Sequence, residues 1–236
     1  MRLWIHFAKE NPMRYLSHLD LMRAWQRAIR RARLPVAYSA GFNPHPKMSF
    51  ASALAVGVTS DAEYLDIELQ EDVGDEELTR LQTALPTGLP IMNWRVVPQA
   101  TPALMSLISV TQWVLPIEGG DVSRMQSHIA EILSALSLPI VRKGKKGTKV
   151  VDVRPLILKL TVDHKQQQLA MLLASGGDGG VKPRELLALL NLSTLEYRLH
   201  RTALLINCGQ CLQPPMAVSL NEKEVSINAE EDCYQL

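Results

Sequence analysis

Apolar and polar positions alternate from the start of the chain. Within residues 2–9, Leu3, Ile5 and Phe7 stand against Trp4 and His6, a period of two that predicts a strand. Asn11-Pro12 interrupts it with a loop. Ser17-His18-Leu19-Asp20 then has the form of a capping box, with the Ser17 hydroxyl placed to accept from the Asp20 backbone N–H. The helix it opens runs to about Arg33 and stops before Pro35, because the residue preceding a proline disfavours the α region. At about 100° per residue, Leu21, Met22, Trp25, Ala28, Ile29 and Ala32 share one face. Arg23, Arg27, Arg30 and Arg31 share the opposite one.

Val36-Ala37-Tyr38 reads as a short strand, and residues 39–50 (SAGFNPHPKMSF) as a shaped loop rich in Gly, Pro and Asn. Strand patterns follow at Ala53–Val58 and Glu63–Leu69, an amphipathic helix at Asp75–Leu85 and a strand at Ile91–Val97. The order β-α-β-β-α-β is the ferredoxin-like, split β-α-β plan, with helices on one face of an antiparallel sheet. Pro98–Pro102 reads as a linker, after which the rhythm recurs. Ile108–Ile117 is a strand, and Val122–Leu136 a helix with Val122, Met125, Ile129, Ile132 and Leu136 on one side. Ile140-Val141 enters a basic turn, Leu156–Val162 and Leu169–Ala174 alternate like a hairpin, and Lys182–Leu190 is a helix. A last strand or helix covers Tyr197–Ile206. The expected architecture is therefore α+β, with tandem ferredoxin-like domains over 1–98 and 99–207. A polar, acidic tail over 208–236 completes the chain.

Composition narrows the function classes. Of 236 residues, 47% are hydrophobic and 21% charged, the balance of a globular chain with a real core. No apolar run is long enough to span a membrane, and the N-terminus does not read as a signal peptide, so a cytoplasmic location is expected. The three cysteines, Cys208, Cys211 and Cys233, fit a reducing compartment better than a disulfide framework. They also fall short of a zinc site unless a fourth ligand such as His200 or His164 joins them. No glycine-rich nucleotide loop of the known kinds and no HExxH occurs, so no cofactor is expected.

The net charge of +1 conceals a polarised distribution. Between Leu21 and Ser60 there is no carboxylate, whereas Asp61, Glu63, Asp66, Glu68, Glu71, Asp72, Asp75, Glu76 and Glu77 precede the next base, Arg80. Four arginines on one helix face repel one another unless an anion sits among them, and guanidinium forks match phosphate oxygens. RNA is one such anion; an acidic protein surface is another, and a solvated face is the plain alternative. Phe42, Asn43, His45 and Lys47 follow on the stiffened loop, where flat rings beside a cation can stack on bases. Arg142, Lys143, Lys145, Lys146 and Lys149 form a third cationic site at a glycine-containing tip, which binds phosphates through a salt-sensitive term or is merely solvated. No catalytic group is assigned. The alternative is general acid–base work by His45, Tyr38 or Lys47 in a metal-independent RNA-processing endonuclease.

Several stretches together resemble the radical-SAM-linked proteins, a bacterial family built on a domain of unknown function. They are Tyr15–Arg23 (YLSHLDLMR), Tyr38–Lys47 (YSAGFNPHPK) with Ser49–Ala51, then Ala55–Val58 and Glu63–Leu69, and more weakly Asp152–Pro155. Members of that family are fused to, or encoded beside, a cobalamin-binding radical-SAM enzyme, often near ribonuclease G and ribosomal protein genes. The resemblance implies an accessory protein in RNA or ribosome modification, gripping substrate while radical chemistry is supplied in trans. A purely protein-binding scaffold for such an enzyme is the remaining option. In plan alone, the chain is also similar to CRISPR repeat-processing endonucleases, which use tandem ferredoxin-like domains on RNA.

Overall fold

A computed structural model describes residues 1–117, 122–144, 147–176, 179–209 and 211–220. The chain begins with strand β1 (Arg2–Lys9) and helix α1 (His18–Ala32), followed by β2 (Met48–Phe50), β3 (Thr59–Glu68), α2 (Asp75–Ala84) and β4 (Ile91–Val97). A short helix α3 (Leu104–Leu107) leads into β5 (Ile108–Pro116), α4 (Val122–Ser134) and a hairpin of β6 (Pro139–Gly144) and β7 (Gly147–Asp152). Then come β8 (Ile157–Asp163), β9 (Gln168–Ala174), α5 (Pro183–Leu189), β10 (His200–Asn207) and β11 (Leu212–Gln213).

The fold is mixed α and β with a mostly antiparallel sheet. Nine strands form one sheet along the path β4-β1-β3-β10-β5-β9-β8, with β2 added to β3 and β11 to β10; β6 and β7 pair separately. In the first half β1 lies between β4 and β3, and β2 flanks β3, all antiparallel. In the second half β5 lies between β10 and β9, and β8 flanks β9, again antiparallel. The halves meet where β3 pairs β10 in parallel, Thr59 opposite His200 and Ser60 opposite Arg201. The outer edge of β3 is thus shared: Leu65, Asp66 and Ile67 face β2, while Thr59 and Ser60 face β10.

The amphipathic pattern of α1 produces this packing directly. Ser17 caps the helix through its hydroxyl, 3.2 Å from the Asp20 backbone N–H, and donates in turn to the Asp20 carboxylate at 2.7 Å. Leu21, Trp25, Ala28 and Ile29 bury against Leu3, Ile5, Phe7, Leu65 and Ile67. Trp25 meets Phe7 edge-on at 4.8 Å between ring centres. Each such large side chain stabilises the fold by about 1.5–3 kcal/mol relative to exposure. The sheet's other face in this half carries Trp4, Ala62 and Tyr64, which pack with Val97, Leu104, Ile108, Leu204, Ile206 and Val218. The proline-containing linker is fastened there. Arg2 forks onto Asp66 at 2.8 and 2.7 Å and reaches the carbonyls of Gln99, Thr101 and Pro102.

Six segments differ from the pattern-based expectation. Residues 36–38 are not a strand but make two isolated bridges, Val36 to Leu69 and Tyr38 to Pro46, and Met48–Phe50, read as the end of the shaped loop, is strand β2 on β3. Ala53–Val58 is not a strand: its alanines have weak strand preference, and Gly57 turns the chain at φ +87° under two hydrogen bonds from Arg14 at 3.0 and 2.7 Å. Leu54 and Val58 point instead into the core of the second half. Leu136 is fully exposed, because α4 ends at Ser134 and Leu136 lies past the helical stripe that buries Met125, Ile129 and Ile132. The basic turn is a six-residue hairpin arm on each side, β6 and β7. Residues 208–220, read as the beginning of a polar tail, pack onto the sheet: Cys208, Cys211, Leu212 and Val218 are buried. Arg95 holds this stretch by donating to the carbonyls of Pro215, Met216 and Val218 at 3.3, 3.1 and 2.7 Å. Residues 221–236 lie outside the described residues.

Candidate functional site

The outer face of α1 is exposed at Arg23, Arg27, Arg30 and Arg31, but these arginines are not equivalent. Arg23 lies 3.2 Å from Asp20, whose carboxyl is held below the usual range, chiefly by the Ser17 hydroxyl. Arg31 donates to the Ala84 carbonyl at the end of α2 and, with Arg80, Thr79 and Thr83, lines a shallow 740 Å³ depression between the helices. Arg30 leans back on the Gln26 carbonyl at 3.4 Å. Arg27 has no ion pair among the described residues. Among the described residues three guanidinium groups, those of Arg27, Arg30 and Arg31, have no carboxylate, and Arg31 is taken up by the Ala84 carbonyl.

The loop after α1 is closed by its own backbone. Ser39 N–H donates to the His45 carbonyl at 2.9 Å, His45 N–H to the Ser39 hydroxyl at 3.0 Å, and Lys47 N–H to the Ala37 carbonyl at 2.8 Å. Tyr38 bridges Pro46, so Tyr38, His45 and Lys47 sit on one narrow hairpin. Phe42 stands entirely in solvent, and Asn43, Pro44 and His45 are exposed beside it. Its sequence counterpart Phe50 is the ring that enters the core, 5.9 Å from Phe7 and 5.4 Å from His18. Lys47 pairs with Glu68 at 2.7 Å on the surface.

Arg142 is set apart from the cationic tip to which it was assigned. Its guanidinium forks onto Glu185 at 2.8 and 2.6 Å and donates to the carbonyls of Gly179 and Gly180 at 3.3 and 2.9 Å. It fastens the β6–β7 hairpin to the start of α5. Lys143 and Lys149 remain exposed on the facing strands, and Lys145 and Lys146 lie outside the described residues. The Arg154 backbone N–H donates to the Asp152 carboxylate at 3.0 Å, while its guanidinium donates to the carbonyls of Leu133 and Ile157.

The cysteines have separate fates. Cys208 is a free, buried thiol whose pKa burial pushes up, and Cys211 is disulfide-bonded, against the expectation of free thiols. His164 is hydrogen-bonded to Gln126 at 2.7 Å, and His200 to Thr59 at 2.8 Å and Asp61 at 2.9 Å. Among the described residues no cluster of three or more His, Cys, Asp or Glu is placed to hold a metal ion.

Pattern reading did not find the seam between the halves. Arg201 is 1% exposed and pairs with the equally buried Glu63, with a further hydrogen bond to the Ser52 hydroxyl at 3.1 Å. Its guanidinium lies 5.3 Å from the centre of the Trp113 ring. Nearby, the buried Lys9 ammonium donates to the carbonyls of Arg14 and Leu16 at 3.0 and 3.2 Å, and desolvation lowers its pKa. Along this seam run two cavities of 320 and 430 Å³, which share Ala53, Trp113, Lys182 and Pro183. The residues come from positions 52 to 201 and meet only through the β3–β10 register, so no local motif announces them. The one hint is a charged residue, Arg201, at the head of a strand whose later residues Ala203–Ile206 are apolar.

None of the curated proteins is a significant match to the chain. Residues 2–183 match a family described as "Uncharacterized protein conserved in bacteria (DUF2344)", a span that covers most of the chain and contains the α1 arginines, the 39–47 loop and the linker. By that match the chain belongs to this bacterial family.

Proposed function

We propose that the protein is a non-catalytic module that grips RNA for a partner enzyme, using the outer face of α1 and the 39–47 loop. The observation that carries this reading is that Arg27 and Arg30 are exposed with no carboxylate among the described residues, and that the loop following α1 holds the ring of Phe42 fully in solvent. Guanidinium groups hold phosphates, and an exposed ring stacks on a base. A bare sheet is another common RNA platform. Here the second face of the first half is covered by residues around 97–108 and 214–220, which favours the helical side. The two halves repeat one strand order, β4-β1-β3-β2 and β10-β5-β9-β8, which supports a tandem ferredoxin-like reading. The partner suggested by the sequence resemblance is a cobalamin-type radical-SAM enzyme, and the process RNA or ribosome modification.

The test is salt-dependent binding of total cellular RNA to the full chain. Affinity should fall linearly with log salt, because phosphate contacts release counterions. Arg27→Ala with Arg30→Ala should weaken binding and reduce the slope by up to about 2. No binding at low salt, or an unchanged double variant, defeats the reading. The endonuclease alternative is favoured by the shared hairpin of Tyr38, His45 and Lys47. Cleavage by the chain alone, lost in His45→Ala with binding intact, would establish it.

A further inference from the structure

We propose that the seam between the two halves is a nucleotide site, taking a nucleoside 5′-monophosphate unit either free or as a single unstacked nucleotide of RNA. The two cavities form one groove with unlike ends. One lobe, of 320 Å³, is floored by Leu54, Val58, Trp113 and Leu199. The other, of 430 Å³, is polar, with Ser52, Thr111 and Arg201 set against the backbone of Gly176, Gly179 and Gly180. Volumes of a few hundred Å³, apolar with a few convergent polar groups, are those of small-molecule sites.

Charge selects the ligand. Arg201 and Arg142 are already matched by Glu63 and Glu185. Lys182, on the wall common to both lobes, and Arg184, at the rim of the apolar one, are exposed and make no salt bridge among the described residues. Glu185, already held by Arg142, is the carboxylate that feels Lys182, so the cations of the groove without a salt bridge stand at its middle and rim rather than at its floor. Glu196 also lines the apolar lobe. A lipid tail there would desolvate that carboxylate without pairing it, which costs free energy. A base or ribose offers it an amino or hydroxyl donor. A flat body in the apolar lobe, a donor at Glu196 and an anion at Lys182 and Arg184 describe a nucleotide.

The backbone at the edge of the polar lobe is fixed by a glycine. Gly176 adopts φ +94°, and a Cβ there would stand 2.8 Å from the Ile108 carbonyl oxygen. Only glycine fits both conditions.

This proposal does not depend on the α1 face, and calorimetric titration of the full chain separates the two. The ligands are the common ribonucleoside 5′-monophosphates, inorganic phosphate, and a short 5′-phosphorylated single-stranded RNA. At least one monophosphate should bind with Kd below about 1 mM, and phosphate alone about tenfold more weakly. Lys182→Ala with Arg184→Ala should weaken binding about tenfold or more, as expected of a charged-group contact. Ala53→Phe, which fills the junction of the lobes from an exposed position, should abolish it. Arg27→Ala with Arg30→Ala should leave monophosphate binding unchanged. RNA binding that Ala53→Phe removes assigns the groove to a nucleotide within RNA. Monophosphate binding without RNA binding supports the groove and sinks the α1 reading alone. Absence of binding by every nucleotide at about 1 mM, phosphate binding as tight as the monophosphates, or binding that survives Lys182→Ala with Arg184→Ala overturns the proposal. Should Ala53→Phe fail to fold, the lysine–arginine pair decides, since both side chains are exposed.

Discussion

Phe42 and His45 occupy a loop whose shape is set by backbone hydrogen bonds, so their rings can be removed without unfolding it. Phe42→Ala and His45→Ala should each weaken RNA binding by about 1–3 kcal/mol if a base stacks on the ring. A partner enzyme should retain its turnover at saturating substrate. Filter binding on variants with unchanged thermal unfolding measures the first effect. A different residue-level consequence concerns His6, which stacks on Tyr64 at 4.7 Å and contacts the Asp61 carbonyl at 2.7 Å through Nε2. Burial lowers its pKa from 6.5, opposed by the Asp61 carbonyl and the charges of Asp61 and Glu63. The unfolded chain therefore binds the proton more readily than the folded one. Stability contributed by this site is present above about pH 6.5 and falls as pH drops toward the folded value. His6→Gln should flatten that part of the stability–pH curve; an unchanged curve would show that His6 has no part in it.

At the scale of elements, α1 is the best example of structure legible in sequence. Its start, its stop and its two faces follow from Ser17, Pro35 and the apolar spacing, and the helix spans His18–Ala32. Ser17→Ala removes both the acceptor for the Asp20 N–H and the donor to the Asp20 carboxylate. It should destabilise the protein by about 1 kcal/mol in chemical denaturation, as expected for a lost cap. The mixture of helices with a mostly antiparallel sheet was also within reach of periodicity. Arg142 was not, because a run of basic residues carries no sign that one of them meets Glu185, 43 positions away. Phe42 and Phe50 are alike in composition terms, and only the closing of the 39–47 loop separates the solvent ring from the core ring. Ala53–Val58 failed for the opposite reason: its apolar residues serve the neighbouring half's core, so their spacing follows no single element's period.

At the scale of the molecule, the two halves are joined by more than a linker. The Arg201–Glu63 pair is buried at the seam, and Leu54 and Val58 cross from one half into the core of the other. Arg201→Met or Glu63→Gln alone leaves a buried partner unpaired, and each should cost about 3–5 kcal/mol. The double variant Glu63→Leu with Arg201→Met should recover part of that loss, because neither partner of the pair is stranded and the neighbouring Lys9 ammonium keeps the Arg14 and Leu16 carbonyls. Equilibrium unfolding of all three forms measures this. A double variant no more stable than the worse single one would mean that the pair is not the joint.

The shared edge of β3 also sets an order of events during synthesis. Thr59 and Ser60 await His200 and Arg201, 141 positions later in the chain. Until β10 has left the ribosome, that end of β3 is an open strand edge, and the apolar side chains of Leu54 and Val58 have no core to enter. The first half can gather its helices early, yet it stays adhesive along one margin until β10 has been made. A chain cut at its linker is for the same reason expected to yield a first fragment that self-associates, and to be rescued when the second fragment is made beside it.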